Sequence, residues 1–170
     1  SLNKVNVEAE LACENEKELN LTFTECCLKE ALRKYSIVPI VCRVAVNDSK
    51  VNGPKGDVLT IPKGVSAMLL VQGIHHREDI WENPLEFRPE RFMSSIEPFT
   101  FLPFIEGPRS CLGKNLSLLE SKIVLSKLLS VFKFELVVGN DERNFNPLKK
   151  HKWLIPVIPA HATEVRVSLR

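Results

Sequence analysis

The sequence is expected to fold as an α+β protein, mainly α with small β-sheets. Three observations predict this. Residues 113–132 carry a wide apolar face at helical spacing, and a second helical pattern ends near residue 35. Between them, residues 42–72 switch to the period-two alternation of strands. Residues 75–110 fit neither period and are punctuated by Pro84, Pro89, Pro98, Pro103 and Pro108. An irregular stretch of that length is unusual and is a place to look for function.

Composition narrows the function classes. The 170 residues suffice for one domain, and 44% hydrophobic with 26% charged residues is a globular balance. A net charge of +2, with Lys and Arg scattered among acids, excludes nucleic acid as a partner. The five cysteines, Cys13, Cys26, Cys27, Cys42 and Cys111, form no disulfide spacing and no C-x-x-C pair, which points to a reducing compartment. The longest apolar run, VSAMLLV at 65–71, is far short of the roughly 18–20 residues that cross a bilayer, so the sequence offers no membrane anchor. It begins without Met, inside a helical pattern, as expected of a chain cut from something longer.

Residues 1–35 read as helices. Leu2, Val5, Ala9 and Ala12 keep a loose helical spacing, ENEKELN is a polar connection, and LTFTECCLKEALRKY is the better helix. Thr22 with Glu25 three residues later is a capping-box signal, with Leu21 and Cys26 as a weak staple. Turning about 100° per residue places Glu30 on the same face as Phe23, Cys26 and Cys27. An acid among apolar neighbours needs a partner, and Arg33 at i+3 is within reach.

In the β-rich stretch 42–72, CRVAV alternates, and DVLTI and VSAMLLV flank PKG, which predicts a hairpin between those two, with VSAMLLV a buried strand. KNLSLLESKIVLSKLLSVF is the strongest helix, expected to be deeply packed through Leu116, Leu119, Ile123, Leu125, Leu128, Leu129 and Phe132. Over 133–170, FKFELVV, WLIPVIP and EVRVSL read as short strands or a hairpin.

The chemistry concentrates in FLPFIEGPRSCLGKN, residues 101–115. A thiolate is a good soft metal ligand, but its charge needs donors and positive potential close by. Cys111 immediately precedes the long helix, whose amino-terminal amides and dipole favour a negative charge. Gly113 lets the chain turn into that helix, and Gly107 permits backbone geometry closed to bulkier residues. Arg109, two residues before the thiol, is placed to reach a carboxylate at a ligand's edge, and Phe104 to pack over the sulfur. Such a loop presents one thiolate to a large, flat, anionic metal cofactor.

The spacing F-x-x-G-x-R-x-C-x-G, here Phe104, Gly107, Arg109, Cys111 and Gly113, resembles the haem-binding loop of the cytochrome P450 family. Glu30 and Arg33 match that family's E-x-x-R, and FRPERF at 87–92 matches the segment supplying a second arginine, Arg91. The three motifs come in the family's order and separation, so residues 1–170 resemble the C-terminal portion of that fold, incomplete, about a third of a member. The resemblance implies haem b (iron protoporphyrin IX) with Cys111 as proximal iron ligand, and a buried network in which Glu30, Arg33 and Arg91 are structural supports and not catalysts. Arg43 aligns with an arginine that contacts a haem propionate in the family, while an exposed strand arginine is its other reading. His75 sits where the family often has a histidine and is left outside the site. Three residues depart from the pattern: Ile105, often glycine; Glu106, an acid near the thiolate; and Ser36, where many members have proline.

By the same resemblance, the parent would be a monooxygenase that takes electrons from NADPH through a reductase docked on the proximal face. It would hydroxylate an apolar small molecule, with residues 37–41 and 153–155 bordering the pocket. Lys114, Lys122, Lys127 and Lys133 are either part of the reductase's docking face or a solvated surface. The helix carrying the family's distal acid and threonine would lie upstream, so these 170 residues alone are expected to be inactive. In eukaryotes the parent would be anchored in the endoplasmic reticulum membrane, facing the cytoplasm. Two alternatives are a haem-thiolate isomerase or dehydratase needing no reductase, and a noncatalytic, thiol-bearing fragment without haem.

Overall fold

The computed structural model describes residues 21–53, 55–136, 151–152, 158–159 and 165–170. The helical reading of residues 1–20 and the tail segment Trp153–Val157 lie outside these.

The E-x-x-R segment is a helix, Thr22–Lys34 (α1), and its buried face carries Phe23, Thr24, Cys26, Glu30 and Arg33. The capping box does not form. Leu21 is the N-cap, without a side-chain cap hydrogen bond, and its carbonyl takes the Glu25 amide at 2.8 Å. The Glu25 carboxylate instead lies between two ammonium groups, Lys29 at 2.6 Å and Lys122 at 2.9 Å. Two charge partners outweigh a reach back to one backbone amide.

The β-rich stretch gives four strands: Ile40–Val44 (β1), Ser49–Asn52 (β2), Val58–Ile61 (β3) and Ser66–Leu70 (β4). Their pairing is nested, and the hairpin expected across PKG is absent. β2 pairs antiparallel with β3, Ser49 opposite Ile61, while β1 pairs antiparallel with β4, Ile40 opposite Leu70. Two turns decide this. The Gly53 amide donates to the Asp57 carbonyl at 2.7 Å and closes β2 onto β3. Gly64, at φ +85°, donates to Ala45 O (2.8 Å), and Ala45 N donates to Val65 O (2.9 Å), which draws β4 onto β1. β4 is not a buried strand: it is exposed along its length, with Met68 at 67%. A two-stranded ribbon has two faces, and no described layer covers either. Val71, the residue after it, is fully buried and opens the short helix Val71–His75 (α2).

After a 3₁₀ helix at Pro89–Met93 and a series of turns, the long helix runs Lys114–Val131 (α3). It is not deeply packed. Leu116 is 68% exposed, Leu119, Ile123 and Leu128 are also exposed, and Ser126 is its one buried residue. α3 meets α1, where Lys122 bonds Glu25, but its apolar face is wider than the described residues cover. α3 runs directly into Phe132–Leu136 (β5), which pairs antiparallel with Val165–Leu169 (β8); His151–Lys152 (β6) pairs with Ile158–Pro159 (β7). The core lies elsewhere, between α1, α2 and the irregular segment, where Phe23, Cys26, Val71, Trp81 and Leu102 surround buried Glu30, Arg33 and His75.

Candidate functional site

Glu30 and Arg33 are both wholly buried. One helical turn separates them, so the guanidinium meets the carboxylate edge on: Nε to Oε2 at 2.8 Å and Nη2 to Oε1 at 2.9 Å. The remaining Arg33 donors leave the helix, Nη1 to His75 O at 2.7 Å and Nη2 to Pro84 O at 2.8 Å. Arg91, on the 3₁₀ helix, reaches the same carboxylate through Nε at 3.2 Å and Glu82 O through Nη1 at 3.1 Å. The Arg88 amide adds a bond of 2.9 Å. The end of α2, the irregular stretch at 82–84 and the 3₁₀ helix are thereby tied to α1.

Electrostatics follow from this geometry. Burial pushes the Glu30 carboxyl upward, but the Arg33 hydrogen bonds, the Arg88 amide and the charges of Arg33 and Arg91 outweigh it, so the group stays below its ordinary 4.5. Trp81 roofs the network, with the Arg33 guanidinium carbon 5.3 Å and that of Arg91 5.9 Å from its ring centroid. Two buried donors, Trp81 Nε1 and Arg91 Nη2, have no acceptor among the described residues.

His75 belongs to this assembly, although sequence reasoning set it aside as a loop residue. It ends α2, is 0% exposed, and is stacked on Phe101 at 5.6 Å. Its Nε2 accepts the Leu102 amide at 2.8 Å, and its Nδ1 lies 2.8 Å from Ser36 Oγ. Burial first, and the Arg33 charge second, push its pKa from 6.5 down to about 4. The sequence signal was position alone.

The thiol loop begins where His75 holds Leu102. Ile105 N bonds to Leu102 O (3.2 Å), and Cys111 N to Phe104 O (2.8 Å), so Phe104 and Cys111 are neighbours across the base of the loop. Phe104 is half-buried; Arg109 and Cys111 are exposed, on the threshold of α3. Gly107 has φ +88° with open space beside its Cα, so glycine is required there by the backbone and not by crowding. A Cβ on Gly113, the N-cap of α3, would stand 3.9 Å from Cys111 Sγ, an ordinary contact. Ile105 carries φ +58°, a conformation that β-branched residues avoid, which accounts for the glycine the resemblance leads one to expect.

Arg43 is exposed in β1 and donates to the neighbouring Cys42 carbonyl at 2.8 Å; no described contact joins it to the loop. Three of the four lysines considered as a basic face are paired: Lys114 with Glu106 (3.0 Å), Lys122 with Glu25 (2.9 Å) and Lys133 with Glu135 (2.8 Å). Glu25 is shared between Lys122 and Lys29. No helix among the described residues is long and apolar enough to cross a membrane.

A family model for Cytochrome P450 matches residues 11–161. The chain is 32% identical to "Probable cytochrome P450 6d5" of Drosophila melanogaster, over 89% of its own length and 29% of that protein's. It is 33% identical to "Abscisic acid 8'-hydroxylase 1" of Arabidopsis thaliana, over 86% of the chain and 30% of the relative. With "Cytochrome P450 4A12B" of Mus musculus the identity is 40%, over 69% and 22%. This chain belongs to the cytochrome P450 family, and it spans under a third of the length of these relatives.

Proposed function

We propose that the chain is the haem-ligating portion of a haem-thiolate monooxygenase, with Cys111 as the axial ligand. The observation that carries this reading is the exposed thiol at the head of α3, on a loop whose base is held by a buried histidine. The donor set fits the group. Among the described residues no three His, Cys, Asp or Glu side chains cluster to hold a metal ion, so iron at Cys111 would bring its other ligands with it, as porphyrin iron does. Arg109, exposed two residues earlier, is available to a propionate, and Phe104 and Gly107 shape the loop beside it. Arg43 enters the same reading as a second propionate contact, supported by its exposure.

Bound haem would supply oxygen activation with two electrons, from NADPH through a reductase, to hydroxylate an apolar substrate. This chain's residues ligate, orient and exclude water. Glu30, Arg33 and Arg91 support the irregular segment beneath the loop. Ile37, Val38 and Ile40 are exposed after α1 and are suited to border an apolar substrate. The hydroxylase named among the relatives supports the monooxygenase reading over the isomerase or dehydratase one. The activity is that of the whole protein, associated with a membrane in eukaryotes.

Replacing Cys111 by Ala in the whole protein tests the proposal. The CO-bound, reduced absorption band of thiolate-ligated haem is expected to vanish while far-UV circular dichroism stays unchanged, because the side chain is exposed. An unaltered band refutes the ligand assignment.

A further inference from the structure

Ser36 lies 75 residues before Cys111 in the sequence, yet two hydrogen bonds connect it to the foot of the thiol loop. A backbone N–H can only donate, so the Leu102 amide, 2.8 Å from His75 Nε2, requires a lone pair on that nitrogen. The neutral ring then carries its proton on Nδ1, directed at Ser36 Oγ 2.8 Å away. The Ser36 hydroxyl hydrogen is used elsewhere, on Leu32 O at 3.4 Å, which leaves Oγ as the acceptor. All three roles agree, and Ser36 and His75 are 1% and 0% exposed. Ser36 is itself fixed, its amide donating to Gln72 Oε1 at 2.9 Å while Gln72 Nε2 donates to Lys34 O at 3.0 Å. Beyond Leu102, its carbonyl takes the Ile105 amide, and Phe104 O takes the Cys111 amide.

We propose that Ser36 is a positioning residue for the Cys111 loop: by accepting Nδ1–H it selects the His75 tautomer whose Nε2 holds Leu102. The serine is one of the chain's departures from the family pattern. Without the hydroxyl, His75 either buries an unaccepted N–H or moves its proton to Nε2, which would then face the Leu102 amide donor to donor. Either outcome loosens the foot of the loop. The consequence for haem rests on the proposed function; the relay itself does not.

The test uses the whole protein with ¹⁵N-labelled histidine, without and with haem. The ring nitrogen shifts of His75 are expected to show the Nδ1–H tautomer in both forms. Ser36→Ala is expected to speed amide hydrogen exchange at Leu102 and Cys111 by about tenfold, the scale for a buried unsatisfied group, while α1 amides near Cys26 keep their rates. Ser36→Thr, which restores the hydroxyl, is expected to return those rates toward wild type. In the haem-loaded form Ser36→Ala is expected to shift the iron reduction potential, which a purely stabilising residue would leave alone. An Nε2–H tautomer in the wild type overturns the proposal even if Ser36→Ala fails to fold, and so does unchanged exchange at Leu102 in that variant. If the tautomer and exchange results hold while Cys111→Ala leaves the pigment intact, the haem reading falls and the relay stands.

Discussion

Arg33→Ala removes the centre of the buried network. The side chain makes four bonds of 2.7 to 2.9 Å, two to Glu30 and one each to His75 O and Pro84 O. After the change Glu30 keeps only the Arg91 contact at 3.2 Å and the Arg88 amide, and it remains fully buried. Breaking such a pair from one side costs on the order of 3–5 kcal/mol. Each carbonyl left without a donor adds about 1 kcal/mol or more. The total approaches the roughly 5–15 kcal/mol by which whole domains are stable, so Arg33→Ala should be mostly unfolded or close to it. Arg33→Lys keeps the charge, but a compact ammonium cannot span Glu30, His75 and Pro84 together, and a loss of about 2 kcal/mol is expected. Urea denaturation followed by far-UV circular dichroism measures both. Arg77→Ala, which breaks an exposed pair with Asp79, serves as a control with no measurable change expected. A loss under about 1 kcal/mol for Arg33→Ala, or a lysine variant as unstable as the alanine one, would refute the reasoning.

Acid should destabilise the fold through His75. The unfolded ring takes its proton near 6.5 and the folded one only near 4, so the stability is fully present above pH 6.5 and is lost as pH falls toward 4. The difference is worth about 3 kcal/mol, and urea midpoints across that range should flatten in His75→Gln. Ile105→Gly relieves the positive φ and should raise stability by about 1 kcal/mol; an unchanged or lower urea midpoint means the side chain's packing matters more than the backbone. Glu25→Gln removes the acid that α1 offers to Lys122 of α3. Because both groups are partly exposed, the expected loss is only about 0.5 kcal/mol.

What the sequence revealed and what it hid divide along physical lines. Glu30 could be assigned to an apolar helical face and given Arg33 as partner because both facts are local, three residues apart on one helix. The thiol loop could be proposed from sequence because it is a short pattern of residue types. The pairing of β1 with β4 could not, since strand partners depend on turns at both ends; the asparagine–glycine pair at 52–53 was the available signal. Periodicity in α3 showed correctly that a wide apolar face exists, but a pattern cannot say what covers it. His75 was missed for a similar reason: its importance lies in Ser36 and Leu102, 39 and 27 residues away. The capping box failed because Lys122, distant in sequence, competed for Glu25.

The junction of α3 with β5 ties the last residues of the sequence into the frame. Phe132 leaves the helix already opposite Leu169, and the Arg170 amide returns to Val131 O at 3.1 Å. A stop codon at position 165 would therefore strip β5 of that neighbour and leave Phe132 and Phe134 on a strand with an open edge, a template for aggregation.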